Sequence, residues 1–234
     1  MPDFFKSWLY YLSPKRCAIC REVLSFREVL CSDCEGKLHQ MDKNICKRCG
    51  HVKKQCECKN YAYHFRGFTA PFVNEGLAQE GIYGFKFLRN RDAADFFATE
   101  IAKRVKDIFP DVEFDVVCAI PMYRLKRSVS GFDHAEILAT EVARAMNLPY
   151  RRLLKKQKNC RPQHTLTAKE RFENVKGVYT ARKNAYENVL LIDDIKTTGA
   201  TLDECARRLM LAGTENVYCA AAVISTCKDK DGKL

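Results

Sequence analysis

From residue 114 to residue 226, apolar runs alternate with segments of helical spacing. FDVVCAI (114–120), NVLLIDD (188–194) and NVYCAAAVIST (216–226) read as buried strands, and GFDHAEILATEVARAMN (131–147) and TLDECARRLMLAG (201–213), which closes on Gly213, read as helices. Continuously apolar strands separated by helices predict a parallel sheet covered on both faces, with ligands bound at the carboxyl ends of its strands. Upstream, YAYHFRGFTAPF (61–72) alternates aromatic with polar residues and predicts one or two strands. Two further helices follow, NEGLAQEGIYGFKF and RDAADFFATEIAKRVKDIF, parted by the polar Arg89, Asn90 and Arg91. The amino-terminal Phe4 to Leu12 suits a short aromatic helix packed on its own domain, and KDKDGKL reads as a frayed tail. No internal repeat or low-complexity segment is evident.

The first 60 residues have another character. Eight of the 13 cysteines lie between residues 17 and 58. Cys17 and Cys20 form one C-x2-C pair and Cys31 and Cys34 a second; Cys46, Cys49, Cys56 and Cys58 read C-x2-C-x6-C-x-C. Paired thiolates on short loops complete closed four-cysteine sites, so two structural zinc ions are expected rather than disulfides or free thiols. The irregular C-E-C half and the nearby His51 leave open a substituted ligand or a site shared between the sets. The expected organisation is a double zinc-ribbon module over residues 1–60 and an α/β domain over 61–234, with metal removal unfolding only the module.

A chain of 234 residues with 47% hydrophobic content can bury a substantial core. No apolar run is long enough to span a membrane and the start lacks a signal-peptide layout, which together predict a cytoplasmic protein. The formal charge of +11 treats cysteines as neutral; eight thiolates and two divalent ions lower it by four. Residues 1–65 hold 12 Lys and Arg against 7 Asp and Glu, so bound thiolates bring that part close to neutrality. The basic surplus then falls on the larger domain, most densely in RRLLKKQKNCR (151–161), which can meet nucleic-acid phosphates, meet a polyphosphate, or face solvent.

VLLIDDIKTTGAT (189–201) carries the clearest chemistry. Asp193 and Asp194 are expected where a central strand ends, with Thr197, Thr198, Gly199, Ala200 and Thr201 turning into the next helix. Amides at a helix amino end and threonine hydroxyls cradle a phosphate, and Gly199 permits close approach. Two carboxylates repel that phosphate but accept hydrogen bonds from paired hydroxyls. A ribose bearing a 5-phosphate satisfies both halves. Neither G-x-x-x-x-G-K-[ST] nor G-x-G-x-x-G occurs, which disfavours nucleoside-triphosphatase and dinucleotide readings.

This stretch resembles the phosphoribosyl pyrophosphate (PRPP) motif of type I phosphoribosyltransferases. The resemblance implies a type I phosphoribosyltransferase fold, a parallel sheet flanked by helices, with a small zinc-ribbon module ahead of it. It makes Asp193 and Asp194 the catalytic, ribose-binding pair and assigns Lys196, Thr197, Thr198, Gly199, Ala200 and Thr201 to PRPP. Lys196, at a variable position, is open to either solvent or phosphate.

Over Cys17 to Thr226 the chain resembles the ComF (competence protein F) family. The resemblance rests on IPM (120–122) followed by basic residues and GFDHAEILA, on RPQHTLTAKERFENVKGVY (161–179) and on GFKFLRNRDAADFFA (84–98). It implies a pyrophosphate loop of Pro121, Met122, Tyr123 and Arg124, magnesium bound with PRPP, and a role in taking up single-stranded DNA beside a helicase-like partner at the membrane's inner face. Arg124, Lys126 and Arg127 also suit a solvated loop. Ser130, Gly131, Phe132, Asp133 and His134 depart from the usual R-G-F-N-Q by losing a cation; His134 is assigned no chemistry. Gln163 and Arg171 match family positions, although TAKE (167–170) is also a helix-capping box. An acceptor would sit under a hood from Tyr61 to Leu88, with Lys86 and Phe87 as candidates. The alternative function is an active phosphoribosyltransferase unrelated to DNA uptake.

Overall fold

The computed structural model describes residues 14–25, 28–88, 90–123, 133–160 and 166–225. The amino-terminal aromatic segment, Arg124, Lys126, Arg127, Gly131, Phe132, Gln163, Thr226 and the KDKDGKL tail lie outside them. The elements in chain order are α1 (Ser32–Lys37), β1 (Gly67–Thr69), β2 (Phe72–Val73), α2 (Gly76–Leu88), α3 (Arg91–Ile108), β3 (Val116–Ala119) and α4 (His134–Met146). They continue with β4 (Leu154–Lys156), α5 (Ala168–Val175), β5 (Tyr179–Ala181), β6 (Asn188–Lys196), α6 (Ala200–Leu211) and β7 (Asn216–Ile224).

Five strands form one parallel sheet. Its order is β1-β7-β6-β3, with β2 also on β7. β6 and β7 form its centre, and Val189 to Ile192 and Val217 to Ile224 lie buried there apart from the half-buried Tyr218. β1 and β2 follow the same edge of β7, Phe68 against Cys219 and Phe72 against Val223. Pro71 stands in the gap between them, where a residue without a backbone donor fits. α3 and α4 pack on each other; α4 lies on β3 and β6, α3 reaches β7, and α6 packs against β5, β6, β7 and α5. The fold is thus a parallel α/β sheet with flanking helices, preceded by a small zinc-ribbon module. Sequence alternation did not predict the antiparallel pair β4 and β5, because β4 lies inside the basic run.

Local chemistry sets the helix ends. Asn90 accepts from Ala93 N at 3.4 Å and caps α3; Asp133 does the same for α4 at Glu136 N, 3.3 Å. Thr167 and Glu170 form the predicted capping box of α5. Asn147 ends α4 in the left-handed region at φ 56°.

The ribbon contains a repeat that the sequence reading missed. Bridges Arg16–Val23 and Ile45–Val52 close two knuckles of the same length. In each, the first cysteine's amide donates to the carbonyl five residues on, Glu22 or His51, and its carbonyl receives the amide four residues on. That fourth residue is left-handed in both, Arg21 at φ 68° and Gly50 at φ 82°. An alanine Cβ at Gly50 would meet the Phe68 ring at 2.3 Å, so the second knuckle has an additional reason for glycine.

The ribbon shares one apolar core with the rest of the chain. Phe68 N donates to Lys47 O at 3.0 Å, so the second knuckle covers the outer edge of β1. Asn90 reaches Ala18 O at 3.1 Å, Gln40 reaches Glu100 at 2.8 Å, and Lys43 pairs with Asp107 at 3.0 Å. Arg104 and Arg48 donate to the carbonyls of Asp42 and Tyr63.

Candidate functional site

β6 delivers the acids and α6 the cradle. β6 runs to Lys196, past the expected end at Asp194, so both acids lie within the last part of a hydrogen-bonded strand. The turn is correspondingly short, Thr197 to Gly199, and Ala200 already opens α6. Asp193 is in register with Ala221 of β7, and its Oδ1 accepts Asp194 N at 2.8 Å. Asp194 Oδ2 lies 2.8 Å from Lys86 Nζ, at the carboxyl end of α2. Burial, and then the charge of Asp194, push the Asp193 carboxyl up to about 8.

Gly199 caps α6 at φ 80°. A Cβ there would approach Lys196 Cε to 3.1 Å and Tyr63 Cε1 to 3.3 Å, so packing and conformation both call for glycine. Tyr63 Oη donates to Thr198 O at 3.0 Å, and Ala200 N donates to Thr198 Oγ1 at 3.4 Å. Thr197 is exposed, and the first turn of a helix such as α6 carries amides without intrahelical partners. Lys196 lies beneath it, 1% exposed, its ammonium 5.3 Å from the Phe68 ring centre and 5.8 Å from that of Tyr63. Of the two placements open from sequence, this burial excludes the solvent-facing one.

Pro121, Met122 and Tyr123 follow β3 and are half-buried. Met122 N donates to Asp133 Oδ2 at 2.7 Å, while Asp133 Oδ1 caps α4. Asp133, one of the three positions at which the chain departs from R-G-F-N-Q, is therefore the anchor of this loop. D-x-x-E at 133–136, a helix-start pattern, was its overlooked signal. His134 Nε2 donates to Lys86 O at 2.7 Å and Phe85 meets its ring edge-on at 5.4 Å, so it fixes the end of α2. Nothing in the sequence foretold that Tyr63 would hold the Thr198 carbonyl. Lys86 was anticipated only as an acceptor contact, and the structure pairs it with Asp194.

The basic run forms one wall of a cavity of about 470 Å³ beside this loop, lined by Pro121, Met122, Arg152, Lys155, Lys156 and Arg182. Not all of its charge faces solvent. Arg152 donates to Glu136, and Lys156 lies 5.4 Å from the Tyr179 ring centre.

Both cysteine quartets are assembled, with the ligand atoms of each within 4.8 Å of one another. Sγ–Sγ separations of 3.6 Å for Cys20–Cys31 and 3.7 Å for Cys46–Cys58 and Cys49–Cys56 match the edges of a tetrahedron around zinc, given Zn–S bonds of about 2.3 Å. They exceed a disulfide bond by far. Burial pushes Cys17 and Cys46 up, yet backbone N–H groups, from Cys31, Cys20 and Ile19 for the first and Cys49 and Arg48 for the second, bring both down to about 7. His51 is in neither quartet: it is 1% exposed and donates to Ser225 O at 3.3 Å. The sites are two separate clusters, each built from four cysteines.

Residues 8–63 match the double zinc ribbon domain. Two such centres ahead of a parallel α/β sheet, whose central strand carries an acid pair into a glycine-capped helix, define a zinc-ribbon protein with an α/β domain of parallel strands and flanking helices. Competence protein F of Haemophilus influenzae is 26% identical over 229 residues, 83% of this chain and 96% of that protein. Competence protein ComFC of Bacillus subtilis is 27% identical over 80% of each chain. In Escherichia coli K12, DNA utilization protein YhgH is 21% identical over 87% of this chain and 94% of its own. Over most of its length the chain is thus similar to proteins named for competence and DNA utilization. Among solved structures, the PRPP amidotransferase of B. subtilis is 20% identical over 64% of this chain, at a TM-score of 0.39; the match spans 28% of that enzyme. An adenine phosphoribosyltransferase is 17% identical over 60% of this chain and 74% of its own, at a TM-score of 0.40.

Proposed function

We propose that this chain binds PRPP at the end of β6 and serves the uptake of single-stranded DNA, working on the cytoplasmic side of the membrane with a helicase-like partner. The chain divides in this reading into a zinc-ribbon module, 1–60, and a phosphoribosyltransferase-like domain, 61–234. The observation that carries it is the junction of Asp193 and Asp194 with the Gly199-capped start of α6. A dianionic 5-phosphate suits the helix amino end, and two ribose hydroxyls can donate to the carboxylates. Pro121, Met122 and Tyr123 border the position for the pyrophosphate, as would Arg124. Magnesium carried with PRPP would face the same acids and would supply charge neutralisation of the diphosphate. Names such as competence protein and DNA utilization protein support the cellular role. No helix among the described residues is long and apolar enough to cross a membrane.

A second reading, phosphoribosyl transfer, draws support from the acids lying at a strand end beside an anchored loop. The sugar C1–oxygen bond would break with its electron pair leaving on pyrophosphate, the acceptor's lone pair would form the new bond, and the acceptor's proton would pass to solvent. Calorimetric titration with PRPP and magnesium tests the common premise. The wild-type chain binds, and Asp193→Asn with Asp194→Asn abolishes binding; no heat from the wild type refutes the proposal. Uptake that persists in the double variant separates the site from competence, and pyrophosphate release with an added acceptor identifies transfer.

A further inference from the structure

In the free chain Asp194 is already engaged. Its Oδ2 meets Lys86 Nζ at 2.8 Å, and the two side chains are largely shielded from water; no other ion pair reaches Asp193 or Asp194 among the described residues. Burial and the neighbouring charge keep a proton on Asp193 up to about pH 8, so at neutral pH one carboxylate faces one ammonium and the group of three is electrically balanced. Lys196, the other lysine of this region, is 1% exposed under Gly199 and has no room to swing.

The backbone of Lys86 is fixed, whereas its side chain is held only by Asp194. His134 Nε2 donates to Lys86 O at 2.7 Å, Phe85 meets the His134 ring edge-on, and the preceding residue, Asp133, holds Met122 N at 2.7 Å. The end of α2, the start of α4 and the loop after β3 are thereby tied together, and the flexible four-carbon stem of Lys86 rises from that junction. A ribose diol that donates to Asp194 takes the place of the ammonium. The displaced cation then needs another anion, because a charge left alone in a shielded site is costly. A diphosphate beside the anchored loop supplies one. A sugar phosphate that carries only a hydroxyl on the same carbon does not.

We infer that Lys86 is a specificity-determining residue of this site, a cation that covers Asp194 in the free chain and passes to the diphosphate when the diol arrives. The ligand class it selects is a pentose 5-phosphate with a second anionic group on the anomeric carbon. Ribose 5-phosphate is disfavoured because it breaks the ion pair without replacing it. This inference rests on the PRPP reading and adds to it the residue that sets the preference.

Calorimetric titration of the full zinc-loaded chain with PRPP and with ribose 5-phosphate, each with magnesium, gives the ratio of the two affinities in the wild type, Lys86→Met and Lys86→Arg. The wild type prefers PRPP. Lys86→Met lowers that ratio by about tenfold or more, the size of one hydrogen bond to a charged group, and does so from both sides. Ribose 5-phosphate binds more tightly, with no ion pair to break, and PRPP binds less tightly. Lys86→Arg keeps a cation and with it the preference, and circular dichroism verifies that both variants are folded. An unchanged ratio in Lys86→Met, or ribose 5-phosphate that binds no better to it than to the wild type, overturns the role of Lys86 alone. Absence of PRPP binding in the wild type overturns the PRPP reading and this inference together.

Discussion

Replacing Lys86 by methionine would remove the cation that faces the acid pair while keeping most of the side-chain volume. At 2.8 Å, two unit charges attract by about 6 kcal/mol for an effective dielectric constant of 20, before desolvation is counted. The net effect is much smaller. Exposed pairs contribute about 0–1 kcal/mol, and breaking a fully buried pair costs about 3–5 kcal/mol. With the side chains 23% and 18% exposed, Lys86–Asp194 falls between these limits, at about 2 kcal/mol. For a chain of this size that corresponds to a fall in Tm of about 4–8 °C.

The pH dependence of that loss distinguishes an electrostatic role from lost packing. Lys86 also lowers the Asp193 pKa, against the stronger effects of burial and Asp194. Without it, Asp193 would retain its proton to still higher pH. The destabilisation of Lys86→Met therefore grows as pH rises through about 8, where Asp193 ionises beside Asp194 with no cation opposite. Differential scanning calorimetry of both proteins between pH 6 and pH 9 measures it. Equal Tm values at the alkaline end, or a loss constant with pH, would refute the reasoning.

Two further outcomes follow from the same geometry. Between the ordinary aspartate range and about 8, the folded chain retains a proton on Asp193 that the unfolded chain has lost, so this residue makes stability decline with rising pH across that window. Asp193→Asn should flatten the decline, measured by denaturant titration at several pH values. For the metal centres, the wild type should contain two zinc ions, and Cys34→Ser or Cys58→Ser should each lower zinc content by one and destabilise the chain. Elemental analysis and thermal denaturation check both, and PRPP titration should show the greater loss for the Cys58 variant.

Periodicity made the central strands and their helices legible because β3, β6 and β7 are buried on both faces and α4 and α6 each bury one side. It missed β4, whose Lys155 and Lys156 resemble a charged loop until Tyr179 of β5 supplies a partner ring. Cysteine spacing identified both quartets, because short loops bring thiolates together without distant help. It left His51 open, since the Ser225 carbonyl that receives its ring lies 174 residues away. The acid pair and Gly199 were visible because one strand and turn carry them; Lys86, Asp133 and Tyr63 join that region through tertiary contacts. Asp133 alone among these had a local signal, its helix-capping pattern.

Those tertiary contacts also explain why the zinc ribbon should influence the cradle. Lys47 O binds Phe68 N, Gly50 packs against the Phe68 ring, Arg48 holds the Tyr63 carbonyl, and His51 holds Ser225 O. All four come from the second knuckle, within or beside Cys46 and Cys49. On the other side, Phe68 and Tyr63 flank the Lys196 ammonium, Tyr63 Oη holds the Thr198 carbonyl, and Ser225 N donates to Lys196 O. Every link is a hydrogen bond or a close packing contact, so loosening the second knuckle removes supports from beneath Gly199 without touching the acids. The first knuckle lacks this route; its hydrogen bond from Asn90 to Ala18 O leads to the start of α3. If metal at the second cluster keeps the loop in shape, ligand affinity should follow zinc content there more steeply than at the first cluster, which stabilises the chain by packing on a different helix.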